Sequence, residues 1–294
     1  MKRMKQIYTY ILILSICFAG CARKAKQWFV VEKLDNKTYV ISEPNSSQGN
    51  SCFLLLGDRE AILFDSGTGE NEGKGIARIT DTITNLPLTL LLSHFHFDHI
   101  GNTEEFSRIG IPELDCFRSR IARDSILNLS CKEVLSENTK SLKVSKCFPV
   151  GEEIDLGNRR ITILHTPGHS RESISIVDRE NKYVFMGDLA YNGLLLVNDC
   201  RKYVNSINCL LNRSDSTYRF FGSHGKSEVG FAHLQRIGDA LECYQNPEWK
   251  PESVKQINFF GVVKDLITVD GVSFIVGYRD VFTNDCEKET GSNE

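Results

Sequence analysis

An apolar run, Leu86–Leu92, leads directly into a segment that holds three of the seven histidines of the chain. The run has the length of one strand, and a strand that is apolar on both faces is usually covered on both faces. The sequence therefore predicts a fully buried strand, with the polar segment Ser93–Gly101 at its open end. In α/β proteins, ligands tend to bind at such strand ends.

The N-terminal segment has the pattern of an export signal. Three basic residues precede the apolar run Ile7–Ala19, which is too short to span a bilayer but long enough for a signal-peptide core. The small residues before Cys21 resemble the lipobox of bacterial lipoproteins. This resemblance implies a signal peptide over residues 1–20 and a lipid anchor on Cys21 with a tether over 21–27. The tether lacks an acidic run that resembles the surface-export signals of some lipoproteins, which favours a domain that faces the periplasm. A secretory signal with a chance cysteine and an uncleaved anchor are the alternatives.

The composition is that of a globular protein. Apolar residues make up 41% of the chain, and the charge of 35 basic against 38 acidic residues gives 35 − 38 = −3, which does not favour nucleic acid as a partner. Eight cysteines follow Cys21, but none forms a C-x-x-C pair, so the sequence assigns no disulfide. We expect one folded domain over residues 28–284 and a polar tail over residues 285–294.

Short segments with the character of strands alternate with segments of helical spacing along this domain. Such a pattern indicates an α/β or α+β domain built in layers. Helices are predicted over residues 76–83, 121–135, 203–211 and 231–244, and strands over residues 38–41, 52–56, 61–64, 86–92, 142–147, 153–156, 160–165, 173–177, 183–186, 218–221, 256–260 and 272–277.

Metal-ligand side chains follow four of the predicted strands. His94 and His96 are two positions apart, so in an extended segment they point to the same side and can bind one ion. Imidazole and carboxylate groups together favour zinc or another borderline metal. The other candidates at strand ends are Asp98, His99, His169, Asp188 and His224.

The order of these motifs resembles the metallo-β-lactamase superfamily. The motifs are His94-x-His96-x-Asp98-His99, then Thr166-Pro-Gly-His169, Gly187-Asp188 and Gly222-Ser-His224-Gly225. The resemblance implies a four-layer αββα sandwich that binds two zinc ions. It assigns His94, His96 and His169 to the first ion and Asp98, His99 and His224 to the second, with Asp188 bridging them. Asp65 either orients a ligand or forms a cap or turn.

The same resemblance implies a hydrolase acting on a small molecule. A hydroxide that bridges the two zinc ions attacks an ester or lactone carbonyl, and Asp98 takes or relays the proton. Tyr191 either donates a hydrogen bond to the substrate oxygen, as in the lactonases, or is a partly buried aromatic residue. Dedicated β-lactamases commonly have a cysteine, or no ligand, where this chain has Asp188, so the sequence argues against that activity.

Several alternatives stay open at this stage. Hydrolysis of a thioester ranks below that of a lactone or ester, because the chain after His224 does not resemble the helical region of glyoxalase II. A β-lactam hydrolase, a small-molecule phosphodiesterase and a non-catalytic metal-binding lipoprotein are further alternatives. Iron chemistry is disfavoured, since flavodiiron relatives have a glutamate where this chain has His96. We expect His165 to lie near the centre without binding metal, and His233 to be exposed.

Overall fold

The computed structural model describes residues 27–71, 75–121, 124–250, 253–259 and 261–278. The predicted signal peptide, nearly all of the tether and the polar tail lie outside these ranges. None of the helices described here combines the length and the apolar character needed to cross a lipid bilayer.

The first sheet has eight strands and contains the buried strand that the sequence predicts. Its strands β1–β6 follow one another across the sheet, and β8 lies between β6 and β7. They are β1 (Val30–Asp35), β2 (Thr38–Ser42), β3 (Ser51–Leu56), β4 (Ala61–Phe64), β5 (Leu88–Leu91), β6 (Ile109–Pro112), β7 (Ile126–Leu129) and β8 (Lys140–Phe148). The neighbours β4, β5 and β6 are parallel, so their carboxyl ends lie at the same edge.

The second sheet has six strands. It contains β9 (Glu153–Asp155), β10 (Arg160–His165), β11 (Ile174–Asp178), β12 (Tyr183–Phe185), β14 (Arg219–Phe221) and β15 (Glu228–Val229). Strands β9, β10, β11 and β12 each pair antiparallel with the next in sequence, at the places where the sequence predicts strands. Because β14 runs parallel to β12, the carboxyl ends of β10, β12 and β14 lie at one edge.

The sheets and helices form four layers. Apolar side chains of the two sheets pack against each other in one core, which includes Phe53, Phe64, Ile163 and Phe185. The first sheet is covered on its outer face by helices α1 (Ile76–Ile83), α2 (Asp115–Arg118) and α3 (Cys131–Val134), and the second by α4 (Cys200–Leu211) and α5 (Phe231–Gln245). This arrangement confirms the predicted αββα sandwich.

A third sheet adds to the outer side of the second sheet. Its strands, in spatial order, are β13 (Leu194–Val197), β18 (Val272–Val276), β17 (Val262–Val269) and β16 (Ser253–Phe259). The sequence predicts β16 and β18, but it does not predict β13 or β17. Strand β13 pairs with β18 in parallel across more than seventy positions, so no turn residue close in sequence indicates the pairing.

The helix predicted over residues 121–135 is wrong. The structure has strand β7 and the one-turn helix α3 in this segment. In β7, buried and more accessible positions alternate, as a strand requires, and β7 pairs with β8. The helical spacing of the apolar residues is interrupted by Ser130, which starts α3 with a capping box to Glu133.

A buried ion pair joins the two sheets at the end away from the histidine motifs. Arg159 precedes β10, and its guanidinium lies 2.8 Å from the carboxylate of Asp178, with both side chains at most 1% exposed. The same guanidinium donates to the Lys37 carbonyl at 2.6 Å and to Oγ1 of Thr38 at 3.0 Å, both in the first sheet. One side chain therefore satisfies polar groups of both sheets.

We expect Arg159→Met to lower the free energy of unfolding by about 3–5 kcal/mol, because removing one partner of a buried pair leaves the other charge unpaired. Arg160→Met is the matched control. Arg160 pairs with Glu180 at a position where its side chain is 56% exposed, and exposed pairs contribute at most about 1 kcal/mol. Denaturant unfolding of both variants measures the difference. Equal losses in the two would contradict this account of the ion pair.

Candidate metal centre

The ends of strands from both sheets deliver the metal-ligand side chains to one place. The segment from His94 to His99 follows β5 of the first sheet. His169, Asp188 and His224 follow β10, β12 and β14 of the second sheet. The structure brings all seven predicted ligands together, in one group of His94, His96, His169 and Asp188 and a second of Asp98, His99 and His224.

Three imidazole nitrogens meet in the first group. Nδ1 of His96 lies 2.9 Å from Nε2 of His94 and 2.9 Å from Nε2 of His169, and these two Nε2 atoms are 3.2 Å apart. All three rings are buried. Lone pairs directed at one another at this distance repel, and a cation between them removes the repulsion.

Asp188 lies between the two groups. Its Oδ2 is 3.4 Å from Nε2 of His169 and 2.9 Å from Nε2 of His224, and its Oδ1 is 3.3 Å from Nε2 of His99. Oδ2 of Asp98 completes the second group at 3.6 Å from Nε2 of both His99 and His224. One carboxylate can therefore contact an ion in either group.

The hydrogen bonds of the outer ring nitrogens direct the lone pairs inward. In a neutral imidazole, the nitrogen that donates a hydrogen bond carries the proton, and the other nitrogen is free to bind metal. Each of the five rings has an acceptor outside the centre. The acceptors are Oγ of Ser93 for His94, the hydroxyl of Tyr278 for His96, Oδ2 of Asp65 for His99, the Leu196 carbonyl for His169 and the Gln48 carbonyl for His224.

Asp65 orients ligands in both groups. Its Oδ2 accepts hydrogen bonds from Nδ1 of His99 at 2.8 Å and from Oγ of Ser93 at 2.7 Å, and Ser93 in turn accepts from His94. Its Oδ1 accepts from the Ser93 amide at 2.7 Å. Of the two roles that the sequence leaves open for Asp65, the structure places it in the orienting one.

Two further residues of the centre have no signal in the sequence. Asn50 donates from Nδ2 to the backbone carbonyl of Asp98 at 2.8 Å and to its Oδ2 at 3.2 Å. Tyr278 is fully buried, donates to the His169 carbonyl at 2.7 Å and stacks on the ring of His169. Both residues reach the centre from distant parts of the chain, so local spacing could not indicate them.

The remaining candidates lie close to the centre or outside it. The Tyr191 hydroxyl donates to the Leu194 carbonyl at 2.6 Å, and its ring packs edge-on against His224. His165 is exposed and bonds the Arg171 carbonyl, and it is not a member of either ligand group. His233 is half-buried on α5, where the sequence predicts full exposure.

A cleft of about 390 Å³ gives access to the centre. Its floor contains His96, Asp98, Asp188 and His224. The walls combine polar and apolar residues, which are Gln48, Phe97, Leu135, Tyr191, Asn192, Gly193, Leu194, Leu196, Gly225 and Phe259. A volume of this order suits a small-molecule ligand.

The donors fit a metal ion in their chemistry as well as in their position. Nε2 of His99 and Oδ1 of Asp188 are buried and lie 3.3 Å apart, but neither atom makes a hydrogen bond of good geometry within the described chain. Such atoms are costly to bury unless a ligand satisfies them. Imidazole nitrogens with carboxylate oxygens are a donor set that suits zinc and similar metals.

The carboxylates also determine the protonation of the metal-free centre. Burial disfavours the charged form of His224, but the neighbouring Asp188 and Asp98 outweigh it and raise the pKa of His224 to about 9. The pKa of His99 is raised well above its ordinary value by the same two carboxylates and Asp65, again against burial. Burial, together with the charges of His99 and His96, lowers the pKa of His94.

We therefore expect metal binding to release protons near neutral pH. A ring with a pKa of about 9 is protonated at pH 7 and must lose its proton before Nε2 can bind metal, so metal affinity should fall as the pH drops below about 9. Calorimetric titration of zinc into metal-free protein, in buffers that differ in ionisation enthalpy, counts the protons. His224→Asn should release fewer than the parent chain. Equal proton release from both would contradict the assignment.

The contact between Tyr278 and His96 gives a second prediction. Tyr278→Phe removes the acceptor for Nε2 of His96, and loss of such an outer partner typically weakens metal affinity by about 10- to 100-fold. Tyr244→Phe is the matched control, since Tyr244 packs on Phe274 away from the centre. Competition with a chromophoric chelator measures both affinities. We expect metal to bind more weakly in Tyr278→Phe, and unchanged affinity would exclude this role for the hydroxyl.

Comparison with known proteins identifies the family. The profile described as "Metallo-beta-lactamase superfamily" matches residues 47–245, more than half of the chain. Acyl-coenzyme A thioesterase MBLAC2 of Bos taurus is 28% identical over 197 residues, which cover 58% of this chain and 70% of that protein. Hydroxyacylglutathione hydrolase GloC of Haemophilus influenzae is 30% identical over 157 residues, which cover 51% of this chain and 71% of that protein.

The solved structures agree on the fold. A metallo-beta-lactamase from Pontibacter korlensis superposes with a TM-score of 0.57 and 16% identity, covering 73% of this chain and 99% of its own. At that identity the likeness shows the architecture alone. With the profile match and the named hydrolases, it establishes that the chain belongs to the metallo-β-lactamase superfamily, as one of its metal-binding hydrolases.

Proposed function

We propose that this chain is a dinuclear zinc hydrolase that cleaves the carbonyl of a thioester or ester. The position of Asp188 between the two ligand groups carries the proposal, because two ions that share one carboxylate fit this arrangement. The relatives named as an acyl-coenzyme A thioesterase and a hydroxyacylglutathione hydrolase support a thioester ahead of the lactone that the sequence favours.

The seven side chains divide between two ions. His94, His96 and His169 would hold one and Asp98, His99 and His224 the other, with Asp188 shared. Zinc bound in this way supplies a water of lowered pKa as the nucleophile and a Lewis acid for the carbonyl oxygen. In the overall reaction, the oxygen of water bonds to the acyl carbon, the carbon–sulfur or carbon–oxygen bond breaks, and the leaving thiol or alcohol takes a proton.

Asp98 is the carboxylate that can transfer this proton. It lines the cleft, so it is accessible to the substrate. Asn50 holds it through both the side-chain oxygen and the backbone carbonyl, which fixes the direction of the carboxylate. A positioned carboxylate of this kind can accept a proton and pass it to the leaving group.

Tyr191 is oriented for packing. Its hydroxyl proton is directed to the Leu194 carbonyl, and burial, with the nearby charge of Asp188, raises its pKa well above the usual value. The phenol therefore stays protonated near neutral pH. Donation to a substrate oxygen stays a prediction, since it requires the bond to Leu194 to open.

The test is replacement of the shared carboxylate. Asp188→Asn keeps the size of the side chain but removes the charge that the two ions would share. We expect kcat/KM for a thioester to fall by about 10²- to 10⁴-fold, the range seen when a positioned catalytic group is lost, with little change in unfolding free energy. Asp239→Asn on the exposed face of α5 is the control.

Metal content measured on the same samples completes the test. Two zinc ions per parent chain and fewer in Asp188→Asn would support the shared carboxylate. Full metal content with retained turnover in Asp188→Asn would show that Asp188 does not carry the reaction.

A further inference from the structure

Five apolar residues line the cleft beside the metal-binding side chains. Phe97 lines it from the segment after β5, Leu135 from the end of α3, and Leu194, Leu196 and Phe259 from the third sheet. Gln48 and Asn192 are the neutral polar side chains among the other lining residues. No lysine or arginine of the described chain lines this cleft.

Strand β13 directs leucines into the cleft where a water-facing strand commonly carries polar residues. Leu195 and Val197 are fully buried in the core under the third sheet. Leu194 and Leu196 alternate with them, are half-buried and face the cleft. All four residues of the strand are therefore apolar, although one face of it borders the opening.

Leu135 occupies a position that favours glycine. It ends α3 with a φ of 54°, in the left-handed region. A bulky side chain there costs of order 1–3 kcal/mol, and glycine is the usual residue at such helix ends. Despite this cost, the position carries a leucine, and Leu135 lines the cleft. The neighbouring Phe97 is tied to α3 by its amide, which donates to the Val134 carbonyl at 2.7 Å.

The hairpin of β16 and β17 forms the outer wall. Phe259 pairs with Val262 at the end of the hairpin, and its side chain reaches the cleft. Val263, the next residue of β17, points to the opposite face and is 63% exposed. The hairpin lies after residue 245, beyond the segment that matches the superfamily profile.

We propose that the cleft binds the unbranched acyl chain of the substrate, with Phe259 closing its outer side. The proposal rests on the proposed hydrolase function, since the acyl carbon must lie at the metal centre. A hydrocarbon chain gains from burial against these five apolar side chains, whereas a charged acyl group finds no lysine or arginine among the described lining residues. The substrate class is then a fatty acyl thioester or ester.

The test is a series of thioesters of one thiol, from acetyl to dodecanoyl, with the zinc-loaded chain. Burial of one methylene is worth about 0.8 kcal/mol, so kcat/KM should rise by about fourfold per methylene until the cleft is filled. Phe259→Ser should flatten this dependence, so the ratio of kcat/KM for the dodecanoyl thioester to that for the acetyl thioester should fall relative to the parent chain. Val263→Ser, on the other face of the same hairpin, should keep the full dependence.

Leu135→Gly distinguishes an effect on acyl-chain binding from an effect on the stability of the protein. Glycine relieves the left-handed backbone, so the thermal midpoint should stay the same or rise, while the dependence on chain length should weaken. A fall in the midpoint together with an unchanged chain-length dependence would overturn the role of Leu135 as a wall.

Binding of free dodecanoate to the parent and Phe259→Ser chains, measured by calorimetry, makes the two proposals distinguishable. Turnover without any chain-length dependence would overturn the acyl site and leave the hydrolase intact. No turnover of any ester or thioester would contradict the proposed function. In that case dodecanoate binding that is lost in Phe259→Ser would still support the acyl site, and the absence of binding would overturn it.

Discussion

Two carboxylates and five imidazole rings lie together, all of them buried except the half-buried His224, and the fold has to hold them where they can bind metal. The sandwich does so by bringing strand ends from both sheets to one edge, so that rigid elements hold every ligand. A layer of hydrogen bonds behind the rings then selects the tautomer of each. Asp65 is central to that layer because it reaches His99 directly and His94 through Ser93.

The two ends of the sandwich differ in how their buried charged and polar groups are satisfied. At one end, Arg159 and Asp178 form a buried ion pair. Other guanidinium donors of Arg159 bond backbone carbonyls, so the hydrogen-bonding needs of the pair are met within the protein. At the other end, Oδ1 of Asp188 and Nε2 of His99 contact each other at 3.3 Å, but neither atom has a hydrogen bond of good geometry within the described chain. A group left unsatisfied in a well-packed interior commonly marks a functional site, and here the contrast separates the structural pair from the metal centre.

The sequence indicates the centre well because its ligands follow strands whose ends are visible as the ends of apolar runs. His94, His169, Asp188 and His224 all occupy such positions. Asn50 and Tyr278 could not be predicted, because each acts through a contact with a residue far away in the chain. The same reason explains the missed strand β13. The helix predicted around Ser130 is wrong for a different reason. The spacing of its apolar residues fits a helix, but pairing with β8 makes part of the segment a strand.

The position of Tyr278 has a consequence for the order of folding. It contacts His96 across 182 positions, so a chain made from its N-terminus carries the whole His94–His99 segment long before the residue that orients His96 exists. Contacts of such sequence separation form late, because the loop must close before they stabilise anything. The hydrogen bond that orients His96 can therefore form only after the chain has been synthesised as far as Tyr278, beyond the last strand of the third sheet.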